Sequence, residues 1–107
     1  MADFIQDGAS IDYTPGADVA AGDVIVQGDL VGVARGPIKS GQLGALAVEG
    51  VFDFTKNTGV AYTAGQLLYW DDTNNVVTDT ATGNKQIGKA IRAAASGDTT
   101  ARVRLNQ

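Results

Sequence analysis

Short apolar segments separated by glycine turns are the feature that most constrains how this chain folds. Its fourteen Gly are spread along 107 residues rather than gathered in one tract, so they punctuate turns and do not form a flexible linker. Between them lie β-branched runs such as Val24-Ile25-Val26, whereas Glu, a good helix former, occurs once. The sequence predicts an all-β fold, a small glycine-rich β-barrel or β-sandwich-like domain of short strands.

The length of the chain predicts one compact domain with an extension at its start. Residues 1–19 are small and polar with few apolar exceptions. We interpret them as an extended N-terminal arm that becomes ordered on meeting a partner. Residues 20–107 form the single β domain, and its longest strand-like segment runs from Leu43 to Phe54.

Two stretches of the β domain echo one another at a constant spacing. This pattern allows an internal duplication, of about 20–54 and 63–107, or a chance recurrence of turns in a glycine-rich chain. The repeated strings are Gly32-x-Ala34 with Ser40-Gly41, and Gly88-x-Ala90 with Ser96-Gly97.

The composition argues against several kinds of chemistry. The chain has no Cys and no His, which removes thiol chemistry, disulfides, Cys/His zinc sites and imidazole catalysis. A formal net charge of −4 argues against nucleic acid as the main partner. No segment reaches the roughly 20 apolar residues that cross a membrane. We expect no catalytic residue, no cofactor and no metal site.

Two strings resemble functional motifs without fulfilling them. Gly83 to Lys89 matches the spacing of a phosphate-binding loop, but Ala90 replaces the hydroxyl residue that would hold magnesium. Asp71 to Asn75 offers oxygen ligands for calcium but lacks the Gly and Glu of an EF-hand. A hairpin turn between Gln66–Trp70 and Val76-Val77 is the favoured interpretation of that stretch.

Tyr69 and Trp70 are adjacent on one predicted strand, so they face opposite sides. One of them should lie in the core, and the other should be exposed or buried against a partner. We take both as candidates for a subunit interface.

The chain also resembles a known family over most of its length. It is similar to a small phage protein family first catalogued as a domain of unknown function, whose members are capsid decoration (cement) proteins of tailed bacteriophages. They are comparable in role to the lambda-type head decoration protein. The strings that carry the resemblance are Phe4 to Gly8, Ala21 to Ala34, Gly44 to Phe52, Gly65 to Asp72, Ile87 to Ala90 and Ala94 to Leu105.

This resemblance implies a structural protein without catalytic residues. It implies a homotrimer at three-fold positions on the outer surface of the virion capsid, which clamps the phage major capsid protein after assembly in the host cytoplasm. An extended arm can add a strand to the edge of a capsid sheet, with a few side chains as anchors. The candidate capsid-binding residues are Phe4, Ile5, Gln6, Ile11 and Tyr13.

Two alternatives come from other functional classes. A displayed β domain that binds a host surface or a glycan would present an exposed aromatic platform, for which Tyr62, Tyr69 and Trp70 are the candidates. An enzyme or nucleotide-binding recombination factor would need the phosphate loop that fails above.

Overall fold

The computed structural model describes residues 9–107, so Phe4, Ile5 and Gln6 lie outside the described residues. That part of the chain folds into nine strands without a helix. The strands are β1 Ser10–Tyr13, β2 Val24–Gln27, β3 Leu30–Ala34, β4 Gly44–Ala47, β5 Gly50–Thr55, β6 Leu67–Asp71, β7 Val76–Thr78, β8 Lys85–Ala90 and β9 Thr100–Leu105.

The nine strands form two sheets in which all neighbours run antiparallel. The first sheet has the order β1-β4-β3-β2 and the second has the order β5-β9-β8-β6-β7. A parallel bridge between Lys56 and Val77 brings the two edges of the second sheet together, but the barrel does not close. The predicted all-β class is confirmed, in its sandwich-like form.

The two sheets share one arrangement of strands. β1, β4, β3 and β2 of the first sheet correspond in order to β5, β9, β8 and β6 of the second, which adds β7 at its edge. The connecting turns match as well: Gly22 donates to the carbonyl of Ala34, and Gly65 donates to that of Ala90, both at 2.7 Å. The alanines of the two repeated strings, Ala34 and Ala90, therefore accept equivalent hydrogen bonds in the two sheets.

The alternation from Leu43 to Phe54 predicts one continuous strand, and this prediction is wrong. It divides into β4 and β5, which belong to different sheets. Gly50 has a φ of 123°, a backbone conformation that strongly favours glycine. The chain turns there and passes from the first sheet to the second.

The main core lies between the two sheets. Val31 and Val33 of the first sheet are buried in it with the inward side chains of the second sheet. The residues of the second sheet are Phe54, Leu68, Trp70, Val77, Ile87, Ala90, Ala101, Val103 and Leu105, and Tyr62 and Ala94 join them from connecting segments. Because this face is covered by the first sheet, it holds most of the buried apolar area that stabilises the fold.

A smaller cluster lies on the opposite face of the first sheet. Val19, Ala34, Ile38 and Leu46 are buried there. Val19 and Ile38 exchange backbone hydrogen bonds of 2.8 and 2.9 Å, so two connecting loops cover this cluster.

Gly88 occupies an irregular point in β8. The pairing of β6 with β8 shifts register between Leu68 and Tyr69, and Gly88 has a φ of 147°. A Cβ at this position would overlap the backbone carbonyl of Arg104. The string that resembles a phosphate loop therefore ends in a bulged strand with its glycine packed against the neighbouring strand.

Candidate interaction surfaces

Two predicted capsid-binding residues lie on β1, which pairs with β4. Ile11 stands opposite Leu46, and Tyr13 stands opposite Gly44. Both side chains are half-buried, and with Ile25 they pack against the smaller cluster. We call Ile11, Tyr13 and Ile25 the outer apolar face, because they lie on the side of the first sheet that faces away from the second.

The segment predicted as an arm thus contains a strand of the first sheet. β1 occupies Ser10–Tyr13, and Val19 is buried in the smaller cluster. The division of the chain at residue 19 stays a prediction.

An exposed leucine extends the outer apolar face. Leu43 is 70% exposed and borders a groove of about 440 Å³ that is also lined by Val19, Pro37 and Ile38. Since Val19 and Ile38 belong to the smaller cluster, the groove and the outer apolar face adjoin. A large exposed aliphatic side chain beside an apolar groove is typical of a protein-binding surface.

Tyr69 and Trp70 face opposite sides of β6, as predicted. Trp70 is only 4% exposed, its ring lies 5.9 Å from that of Phe54, and its Nε1 donates to Asp72 at 3.1 Å. Tyr69 is half-buried on the other side of the strand. Trp70 therefore serves the core, and Tyr69 is the member of the pair with surface to offer an interface.

The three aromatic candidates for a glycan platform do not assemble into one. Tyr62 is 4% exposed, and its hydroxyl donates to the carbonyl of Val77 at 3.4 Å. Burial raises the pKa of Tyr62 above its usual value. With Trp70 buried as well, Tyr69 alone of the three has substantial exposed surface.

A cleft of about 500 Å³ opens between β2 and β5. Phe52, Phe54 and Trp70 line one side of it, and Asp23 and Asp53 also border it. Both carboxylates already accept hydrogen bonds, from the backbone of Ala20 and from Arg102 respectively. The cleft is an aromatic-walled gap whose acids are engaged within the fold.

The acidic turn between β6 and β7 is held by its own side chains. Asp71 accepts hydrogen bonds from the backbone N–H groups of Thr73 and Asn74 and from the Asn74 amide at 2.8 Å. These bonds lower the pKa of Asp71. β6 and β7 pair as the predicted hairpin, and residues 9–107 contain no cluster of acidic residues arranged to hold a metal ion.

Lys56 is a buried cation that sequence reasoning did not find. It is 3% exposed, and its Nζ donates to the carbonyls of Asn57 at 2.8 Å and Asp98 at 3.0 Å. Nζ also lies 5.9 Å from the centre of the Tyr62 ring. A Lys among Thr and Asn is typical of an exposed turn, so no local pattern indicated its burial.

The outer face of the second sheet carries two rows of side chains, which include Lys89, Arg102 and Arg104. The first row contains Val51, Arg104, Lys89 and Leu67, which stand opposite one another across β5, β9, β8 and β6. The second contains Asp53 opposite Arg102 and continues to Ile91, whose N–H donates to the Arg102 carbonyl at 3.0 Å.

Asp53 is the carboxylate of these rows, and it is paired. Arg102 donates to its two oxygens at 2.9 and 3.1 Å, and this contact lowers the pKa of Asp53. Arg92 lowers it further. We call the two rows, which carry Lys89, Arg102 and Arg104, the basic face.

The comparison with known families assigns the chain to a class. A family model described as "Phage cement protein" matches residues 5–105, nearly the whole chain. The chain therefore belongs to the phage cement protein family and is a structural component of a bacteriophage capsid. The search of curated proteins and the search of solved structures found no match. None of the described residues forms a helix long and apolar enough to cross a membrane.

Proposed function

We propose that this protein is a non-enzymatic cement that binds the outer surface of a tailed-phage head and stabilises the lattice of its major capsid protein. In this proposal it acts as a homotrimer at three-fold positions, added after assembly in the host cytoplasm. The family match over residues 5–105 is the observation that carries the capsid role.

The outer apolar face supports a location for the contact. Ile11, Tyr13 and Ile25 are half-buried apolar side chains on one sheet face, and Leu43 beside them is 70% exposed. Such side chains gain most from burial against a partner. The predicted anchors Phe4, Ile5 and Gln6 precede β1 by a few residues, so they join the same proposed contact.

The test is co-sedimentation of purified protein with expanded, empty heads. We expect Leu43→Asp to weaken head binding strongly, because it puts a charge on the proposed contact while leaving the core intact. Deleting residues 2–8, which leaves β1 whole, should also weaken it if the anchors act as proposed.

Val60→Asp is the matched control, since Val60 is exposed at 38% in a loop outside this face. Binding by Val60→Asp at the wild-type level supports the proposed location. Full binding by both Leu43→Asp and the deletion would contradict it, and failure of the wild-type protein to bind heads would contradict the cement role in this phage. Heat-induced rupture of decorated and bare heads tests the stabilising role.

The alternative of a glycan-binding module has less support. Tyr62 and Trp70 are buried in the core. The glycan-binding hypothesis depended on an exposed platform of Tyr62, Tyr69 and Trp70, and these three residues do not form one.

A further inference from the structure

The basic face has the opposite sign of charge to the rest of the chain. Lys89, Arg102 and Arg104 are three of the eight Lys and Arg residues, and Asp53 is one of the twelve acidic residues. Among residues 9–107, nine further carboxylates lie outside these rows. The chain thus combines one positive sheet face with a strongly acidic remainder.

Within this face the charges are arranged unfavourably for an isolated sheet. Lys89 and Arg104 stand directly opposite each other on β8 and β9, and like charges in that position destabilise a sheet. Asp53, the acid nearby, is already engaged in two hydrogen bonds with Arg102. The pair of Lys89 and Arg104 would be relieved by carboxylates from another molecule.

Apolar side chains lie among these cations. Val51 ends the first row and is 52% exposed, and Ile91 ends the second and is 48% exposed. Tyr69 borders the face on β6, two residues beyond Leu67. Arg and Tyr interleaved with aliphatic side chains are enriched where proteins contact each other.

We propose that the basic face binds the acidic surface of a second copy of this chain, and this inference rests on the homotrimer proposed above. A contact between the basic face of one copy and carboxylates of the acidic remainder of the next is heterologous, and such a contact closes into a ring when the rotation is right. The acidic complement is present on the chain itself, whereas the net charge of −4 would repel nucleic acid.

Zero-length carbodiimide cross-linking tests this contact, because it joins an amine only to a carboxylate that touches it. Isotopically labelled and unlabelled copies are mixed, cross-linked in solution and on heads, and analysed by mass spectrometry. We expect Lys89 joined to an Asp or Glu peptide of the other isotope. Lys89 joined to the major capsid protein, or to no carboxylate in either setting, would overturn the proposal.

Charge reversal provides the second arm. Lys89→Glu with Arg104→Glu keeps a like-charge pair across the two strands, so we expect an unchanged melting temperature. Trimer formation should weaken by about tenfold or more. Arg35→Glu with Lys39→Glu makes the same change in net charge at exposed positions away from the basic face, and it should leave trimer formation in solution unchanged. Because Lys39 lines the groove beside Leu43, this control is read in solution and not on heads.

Sedimentation velocity reads the oligomer in solution, and native mass spectrometry reads subunits released from heads. Equal assembly by both double variants, or equal weakening by both, would contradict a contact at this face. Binding of duplex DNA by the wild-type protein, lost only with Lys89→Glu and Arg104→Glu, would replace it with a nucleic-acid site. A wild-type protein that trimerises through Lys89 yet ignores heads would instead refute the capsid role alone.

Discussion

Ile11 and Tyr13 of the first sheet occupy the places that Phe52 and Phe54 occupy in the second, yet the two pairs have different surroundings. Ile11 and Tyr13 lie on β1 opposite Leu46 and Gly44 of β4. Phe52 and Phe54 lie on β5 opposite Val103 and Ala101 of β9, the counterpart of β4, so the two pairs stand two residues apart in the same way. Phe54 is buried under the first sheet, whereas Ile11 and Tyr13 are covered only in part. One pattern of strands therefore supplies a core in one sheet and a surface in the other.

The reason for the difference is how the sheets stack. The face of the first sheet that packs against the second sheet is the one that carries Val31 and Val33, and it lies opposite the face that carries Ile11 and Tyr13. The face of the first sheet that corresponds to the core face of the second therefore points away from the molecule. The internal duplication stays a prediction, but the comparison shows why an apolar face is left for a partner.

The largest expected effect separates the two echoed glycines. Gly88→Ala should cost about 4 kcal/mol or more, because its Cβ would overlap the Arg104 carbonyl at a positive φ. A Cβ at Gly32 would lie 2.8 Å from the Cβ of Leu46, a milder overlap than at Gly88, and Gly32 is not among the glycines with a positive φ. Gly32→Ala should therefore cost less than Gly88→Ala. Urea denaturation measures both, and equal losses would contradict the distinction.

The next effect compares equivalent positions on the two hairpins. Leu68 lies three residues after Gly65, as Ile25 lies three after Gly22. Leu68→Ala should cost about 3–5 kcal/mol, since Leu68 is fully buried. Ile25→Ala should cost about 1 kcal/mol, since Ile25 is half-buried. A similar loss of unfolding free energy at both sites would show that the outer apolar face is part of the core.

A smaller effect is expected from Gln107, whose side chain takes the place of a backbone hydrogen bond in the first sheet. In the second sheet the Ile87 carbonyl accepts from the backbone of Asn106 at 2.8 Å. The corresponding Val31 is served instead by the side chain of Gln107, which accepts from the Val31 N–H at 2.7 Å and donates to its carbonyl. Gln107→Ala should cost about 1–2 kcal/mol. Asn106→Ala, which keeps the backbone bond, serves as the control in the same thermal melts.

The smallest effect is the dependence of stability on pH. Hydrogen bonds to Lys85, Arg102 and Asn74 lower the pKa values of Asp29, Asp53 and Asp71 in the folded chain. A lowered pKa contributes stability above the unfolded value of about 3.9, which is lost as the pH falls through the folded value. The melting temperature should stay level from about pH 8 to 5 and then fall modestly in acid, because these groups are exposed. A step near pH 6.5 would contradict this, as the chain has no His.

Local patterns in the sequence predicted much of the fold. Glycine turns and β-branched runs indicated the all-β class, and the acidic turn at Asp71 indicated the β6–β7 hairpin. These features depend on neighbours along the chain, which a sequence shows directly.

Local patterns did not predict the features that depend on which strands pair with each other. The alternation from Leu43 to Phe54 continues through the break, so only the crossing at Gly50 reveals two strands. The row that joins Arg104 to Lys89 requires the pairing of β9 with β8. The contacts of Lys56 and Gln107 join residues far apart in the chain. The spacing of residues within the sequence therefore does not predict them.

The passage from β4 to β5 also fixes how the molecule carries load. Val48 and Glu49 alone separate the two strands, and the steps from Ala47 to Gly50 extend to about 10 Å at most. If the protein acts as the proposed cement, a displacement of the first sheet would therefore be passed on to the second sheet after a few ångströms at most.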